Sequence, residues 1–202
     1  KTRRLGYDGK GQYRIRNSAD IAAAWTQLGA APLIAEEWLD FDREVSSVAV
    51  RGRDGALAFY PLAENEHRHG VLAVSRCRPN DPMQSQAEDH ARRIMVELDY
   101  VGVMAVEFFQ RGGTLLANEI APRVHNSGHY SLDETQISQY EMHVRAICGL
   151  PLVEPRQFLP AVMVNILGEG NGDTLGGLDD LLRQRDLKLH LYGKAHAALR
   201  RK

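Results

Sequence analysis

Apolar positions recur along the chain with two different periods. A helical period marks residues 19–28, where Ile21, Ala24, Trp25 and Leu28 share one face, Ser18 is the N-cap and Gly29 closes the helix. This spacing makes Trp25 a core residue. The same period marks 83–98, with Ala87, Ala91, Ile94, Met95 and Leu98 on the buried side, and 137–147, stopped by Gly149 before Pro151. A shorter helix is predicted over 178–183. Strand-like runs fall at 32–39, 46–52, 56–62, 71–78, 101–109, 114–120, 162–167 and 187–192. Arg53-Asp54-Gly55 and Arg111-Gly112-Gly113 read as hairpin turns, 64–70 (ENEHRHG) as a polar loop and 168–177 as a glycine-rich loop. Strands with interspersed helices and hairpins predict an α+β fold with largely antiparallel sheets.

One stretch breaks the apolar pattern. Residues 107–129, EFFQRGGTLLANEIAPRVHNSGH, place Glu107 on one strand and Glu119 on the next. A tight Gly-Gly turn sets these carboxylates roughly opposite each other, and alternation puts Val106, Phe108, Leu116 and Ile120 on the other face. Two carboxylates that close repel one another unless a cation lies between them, and hard oxygen ligands suit Mg²⁺. The plain alternatives are two solvated edge-strand glutamates, or one of them paired with Arg111. His125 and His129, with Glu119, suggest zinc, but Pro122, Asn126, Ser127 and Gly128 argue for a loop and no Cys or His cluster completes the set. An anion-binding loop fits better, with Arg123 as a fork, Asn126 as a neutral donor and a histidine to carry a proton. His67 and His69 read as solvated, or as marginal supports behind the site.

Composition narrows the class. The 202 residues are 44% hydrophobic and 25% charged with net charge −1, an ordinary globular balance that gives no electrostatic case for nucleic acid or an anionic membrane. No apolar run is long enough for a membrane span. Cys77 and Cys148 fit neither a disulfide framework nor a zinc ribbon, which points to a reducing, cytoplasmic setting. The chain opens on Lys1-Thr2-Arg3-Arg4 without an initiator Met and ends on Arg200-Arg201-Lys202, so it reads as a piece of something longer. Residues 1–16 are basic and punctuated by Gly6, Gly9 and Gly11. They form either a phosphate cradle or a solvated basic hairpin.

KTRRLGYDGKGQ, EEWLDFDREVS, VGVMAVEFF and NEIAPRVHNSGHYS, in this order and spacing, resemble the N5-carboxyaminoimidazole ribonucleotide synthetases, a family of ATP-grasp enzymes, over essentially the whole chain. The resemblance implies an ATP-grasp fold. It also implies ligation of bicarbonate to 5-aminoimidazole ribonucleotide, driven by ATP and Mg²⁺ through carboxyphosphate, in purine biosynthesis. Residue by residue, it implies that Lys1 meets the ATP phosphates and that Gly6, Gly9, Lys10, Gly11 and Gln12 belong to the glycine-rich flap, whose Tyr7 and Asp8 also face the aminoimidazole. Glu36, Glu37, Trp38 and Leu39 form the adenine hinge, Glu44 accepts from the ribose hydroxyls, and Asn118 accompanies the nucleotide. Glu107 and Glu119 hold the metal, and Arg123, His125 and Asn126 hold bicarbonate, carboxyphosphate and nucleotide substrate. Lys194, Arg200 and Arg201 meet the ribonucleotide phosphate. Leu5 stands where the family usually has glycine, and 195–199 depart from its usual residues.

The resemblance further implies a homodimer, with no nucleic-acid or membrane partner. It implies an additional N-terminal domain and three parts here: 1–63 with flap and hinge, 64–167 with the metal and anion site, and 168–202 as the start of a C-terminal domain. The chain alone is then expected to be inactive. The other readings are a different ATP-grasp ligase, such as a formate-dependent glycinamide ribonucleotide transformylase, and a nucleotide-binding module without chemistry.

Overall fold

The computed structural model describes residues 1–4, 11–29, 31–168 and 176–193. Its centre is one antiparallel sheet. The strands are β1 (Arg43–Arg51), β2 (Leu57–Phe59), β3 (Ala63–Arg68), β4 (Val71–Cys77), β5 (Gly102–Arg111), β6 (Thr114–Ala121) and β7 (Ala161–Val164), in the order β6-β5-β1-β3-β4-β7, with β2 also on β1. β5 pairs with β1 along its whole length, from Arg43↔Gln110 to Arg51↔Gly102. The other edge of β1 is shared: Glu44 to Ser46 pair with β3, and Ala49 to Arg51 with β2. β1 thus joins β2 and β3 in one sheet.

Alternation along β1 sorts the two faces. Val45 and Ala49 join Met104, Val106 and Phe108 of β5 under α2 (Gln84–Glu97), which contributes Ala87, Ala91 and Met95. Val48 and Val50 join Val103 and Ala105 under α3 (Gln139–Cys148), which contributes Met142 and Ala146. Burial of these apolar side chains on both faces is the main stabilising term, each Val, Met or Phe worth about 1.5–3 kcal/mol and each Ala less. Helix α3 follows local rules: Ser138 caps it by accepting from Glu141 N–H, and Gly149 closes it at φ 70°. Cys77 is buried and its thiol is pushed up to about 12, chiefly by desolvation, while Cys148 at the end of α3 is exposed.

Several expectations fail for identifiable reasons. Residues 64–70 do not form a loop but supply β3, in the middle of the sheet. Its side chains are polar on both faces and nearly all are paired. Glu64 meets Arg43, and Glu66 meets Arg68 and Arg76. Asn65, which is buried, donates to Ser46 Oγ (2.5 Å) and accepts from Ser75 Oγ (2.9 Å). Residues 32–39 are extended yet form only an isolated bridge, Thr2↔Leu33, since Lys1 to Arg3 are their backbone partners. Residues 187–192 form no strand. Helix α1 (Asp20–Gln27) has no side-chain cap from Ser18 or any other residue; its N-cap position is Ala19, and the turn before it is held by Asn17 Oδ1 accepting from Ala19 N–H and Asp20 Oδ2 accepting from Arg16 N–H. Only Ala24 is buried there; Trp25 is 51% exposed, as is Ile21 at 57%, because periodicity defines a face without supplying what covers it. Leu98 of the second predicted helix is likewise exposed.

The stretch 122–132 is wound into a 3₁₀ helix (Asn126–Leu132) after an extended His125. Tyr130 Oη donates to Pro61 O (2.7 Å) and Tyr60 Oη to Ile137 O (3.0 Å), tying this turn and α3 to the sheet. A short helix, α4 (Leu178–Leu182), precedes the segment that returns to it. There His190 meets Asp133 (2.6 Å), and buried His129 hydrogen-bonds Tyr192 and lies edge-on to His190.

Two outcomes follow for stability. Asn65→Ala strands the buried hydroxyls of Ser46 and Ser75, and is expected to cost about 1–3 kcal/mol in urea unfolding. His129 is held below the ordinary histidine range by burial first, then by His190, with Asp133 pulling the other way. As pH falls, the unfolded chain therefore protonates first, near about 6.5, so the stability carried by neutral His129 is intact above that pH and lost below it. Unfolding midpoints between about pH 8 and pH 5 should fall towards acid, and His129→Gln should flatten that slope.

Candidate active site

The β5–β6 hairpin begins with Arg111↔Thr114 and keeps strict register to Phe108↔Ala117. One more step would set Glu107 against Asn118. Instead the ladder shifts there, and Glu107 pairs with Glu119. Asn118 is the extra residue of a β-bulge, and the bulge is what brings the two carboxylates onto one face. The companions of Glu119 differ accordingly from simple alternation: Leu115 and Ala121 are buried, whereas Ile120 is 42% exposed and Leu116 half-buried. β6 is an edge strand, and both Asn118 and Glu119 are open to solvent.

Sheet register extends this face. Glu107 pairs with Ser46, and Glu44, two residues along β1, lies on the same side and pairs with Asn65. Glu44 forms an ion pair with His67, so His67 is not simply solvated. Phe109, opposite Glu44, stacks on Phe41 with ring centroids 4.5 Å apart. A row of polar groups thus crosses β6, β5, β1, β3 and β4 from Glu119 to Ser75.

The loop after β6 folds back over the row. Tyr100 Oη lies within hydrogen-bonding distance of the carbonyls of Pro122 (2.8 Å) and Val103 (3.0 Å), which fixes where the loop leaves the sheet. His125 Nε2 stands 3.6 Å from Glu107 Oε1, with both side chains largely covered. Its Nδ1 accepts from Ser127 N–H (3.3 Å) and lies 2.8 Å from Ser127 Oγ. In the neutral ring the proton therefore sits on Nε2, facing the carboxylate. Arg123 uses Nη1 on Val124 O (3.0 Å) and is otherwise exposed. Asn126 Nδ2 is buried with no hydrogen-bond partner among the described residues. Such a donor costs free energy unless a ligand accepts from it. His129 is turned to Tyr192 and His190, not to the partners of His125, so the two histidines do not converge on one ion.

The remaining described candidates fall within residues 1–39. Lys1 Nζ is paired with Glu36 (2.8 Å), Arg14 stacks its guanidinium 3.7 Å over the Trp38 ring, and Glu37 and Leu39 flank that ring in sequence. Gly11 adopts φ 68° and accepts from Thr2 N–H, and Gln12 follows it, exposed. Gly6, Tyr7, Asp8, Gly9, Lys10, Lys194, Arg200 and Arg201 lie outside the described residues. The sequence pattern did not single out Ser46, Asn65 or Gln139. Only the serine run of β1 and the alternation hidden in ENEHRHG gave any signal of them.

Comparison with known proteins matches residues 1–140 to the ATP-grasp domain and residues 161–202 to the phosphoribosylaminoimidazole carboxylase C-terminal domain. The N5-carboxyaminoimidazole ribonucleotide synthase of Pseudomonas aeruginosa is 46% identical over 208 residues, covering 99% of this chain and 56% of that protein. That of Bacillus subtilis is 41% identical, over 96% and 51%. Among solved structures, the Thermus thermophilus synthetase superposes with a TM-score of 0.82 at 46% identity, covering 93% of this chain and 51% of that one. The Aspergillus clavatus synthase in complex with ADP and 5-aminoimidazole ribonucleotide gives 0.85 at 33%, over 94% and 52%. The chain spans about half the length of the curated relatives it matches. With this sheet, this bulged hairpin and that match over residues 1–140, the chain belongs to the ATP-grasp family.

Proposed function

We propose that this chain forms the nucleotide-handling part of an N5-carboxyaminoimidazole ribonucleotide synthase, a cytoplasmic homodimer that carboxylates 5-aminoimidazole ribonucleotide with ATP and bicarbonate. The observation that carries the reading is the bulge that sets Glu107 opposite Glu119, beside a buried, unpartnered Asn126 donor. Identity above 40% to synthases of that name supports it. No helix among the described residues is long and apolar enough to cross a membrane.

The paired carboxylates fit Mg²⁺: they are hard oxygen ligands at an open sheet edge, with room for phosphate oxygens and waters. When bound, the ion neutralises charge on the transferring phosphoryl group. Lys1 and the flap residues Gly6, Gly9, Lys10, Gly11 and Gln12 take the phosphates, Glu36 to Leu39 the adenine, and Glu44, steadied by His67, the ribose hydroxyls. Asn118 accompanies the nucleotide at the bulge. A bicarbonate oxygen held by Arg123 and Asn126 attacks the γ-phosphorus, ADP leaves and carboxyphosphate forms. The substrate amine then bonds to the carboxyl carbon, the carbon–oxygen bond to phosphate breaks, and the departing phosphate takes the amine's proton. His125 keeps its Nε2 proton towards Glu107 and its Nδ1 in the Ser127 bonds. Tyr7 and Asp8 face the aminoimidazole, and Lys194, Arg200 and Arg201 its phosphate. In domain terms, residues 168–202 begin a C-terminal unit, and residues before β1 carry flap and hinge.

In the natural full-length protein, Glu119→Gln should lower bicarbonate-dependent ADP release by about 100-fold or more. Its melting temperature should stay unchanged, because Glu119 is solvent-exposed. Near-normal turnover would refute the metal assignment, and turnover that follows formate instead of bicarbonate would favour the transformylase reading. Residues 1–202 alone, being about half of a synthase, should show no bicarbonate-dependent turnover in the same assay.

A further inference from the structure

Gln139, the first residue of α3, is fully buried and bonds both backbone groups of His125. Its Oε1 accepts from His125 N–H (2.9 Å) and its Nε2 donates to His125 O (2.7 Å). Its own N–H donates to Ser131 Oγ (3.0 Å), at the far end of the 3₁₀ helix. A side-chain amide matched to both backbone groups of one residue fixes that residue in two directions, as a neighbouring strand would. The opposite wall of the amide is Gly128. A Cβ there would lie 2.8 Å from Gln139 Oε1 and 3.0 Å from Val48 Cγ2, so the glycine is what lets the amide close on His125. The clamped residue directs its imidazole at Glu107.

We infer that Gln139 is a positioning residue for the anion-activating half of the site, holding His125 so that its ring faces Glu107. The inference rests on the carboxylation reading for its kinetic consequence, but the clamp itself is independent of it. Packing alone does not require an amide here; an apolar side chain of the same length would fill the volume and leave both His125 backbone groups without this partner.

The test uses Gln139→Met, which keeps the volume and removes both bonds, and Gln139→Glu, which keeps the acceptor and loses the donor. In the natural full-length protein, Gln139→Met should lower kcat about 100-fold with KM for ATP unchanged, and Gln139→Glu should fall between it and the parent. In a His125→Ala background, Gln139→Met should change kcat by less than about threefold, while its loss of melting temperature persists in full. Gly128→Ala, which pushes on the amide from the other side, should reproduce the kcat defect. Additive kcat losses in the two backgrounds would show a merely structural residue and overturn the inference. If the parent protein shows no bicarbonate-dependent turnover, the functional reading fails, and NMR of the His125 ring decides the clamp alone. Gln139→Met should shift that signal, and an unmoved signal overturns the inference.

Discussion

The bulge at Asn118 is the constraint on which the rest of the site depends. Side chains on a strand alternate with a period of two, so a slip of one residue changes the face of everything beyond it. Without the inserted residue, Glu107 would meet an amide, and Glu119 would turn away from the row formed by Ser46, Glu44 and Asn65. With it, two carboxylates pair across an edge hairpin on the side of that polar row, and Glu119 faces solvent. The same insertion also ends the strict apolar alternation of β6, which is why Ile120 lies in solvent while Ala121 is covered.

Around that hairpin the fold buries polar groups where a sheet normally buries apolar ones. β3 sits in the middle of the sheet, yet its side chains are held by Arg43, Arg76, Ser46, Ser75 and Glu44, so their burial is compensated bond by bond. Its Ser46, Asn65 and Ser75 part shares a face with the carboxylates, while the Arg43 and Arg76 pairs lie on the other face, and the apolar clusters under α2 and α3 give both a rigid frame. The 3₁₀ helix closes over the seam through Tyr100, Tyr130 and Gln139. Among the described residues, the Asn126 amide is an uncompensated donor at the mouth of this arrangement.

Much of this was legible in the sequence. The Asp-Gly and Gly-Gly hairpins, the α2 stripe of Ala87, Ala91 and Met95 and the Gly149 stop rest on local periodicity or turn chemistry, which the chain states directly. The turn brings Glu107 and Glu119 near each other, but their exact pairing needs the bulge at Asn118, which periodicity does not announce. What was not legible rests on partners distant in sequence. ENEHRHG reads as a loop because its polar side chains are balanced by residues up to tens of positions away, and no window shows them together. The α1 stripe reads as core because periodicity marks a face whether or not anything packs on it. The 32–39 run reads as a strand because propensity ignores whether a neighbour exists. Within the site, the carboxylates and the HNSGH loop announce themselves by composition. Gln139 does not, because its role lies in backbone bonds that leave no mark on residue type.

Glu119 stands on an edge strand in solvent, while His125 is locked to a fully buried glutamine. Folding therefore constrains the two halves of the site unequally. Loss of the carboxylate leaves the protein soluble and abundant, and only selection on turnover opposes it. Loss of the loop's geometry disturbs the packing between α3 and the sheet, and is opposed by proteolysis and aggregation as well. In a lineage that stopped needing the reaction, the exposed glutamate would drift first. The histidine loop would persist for longer, a relic kept by the fold after its chemistry had gone.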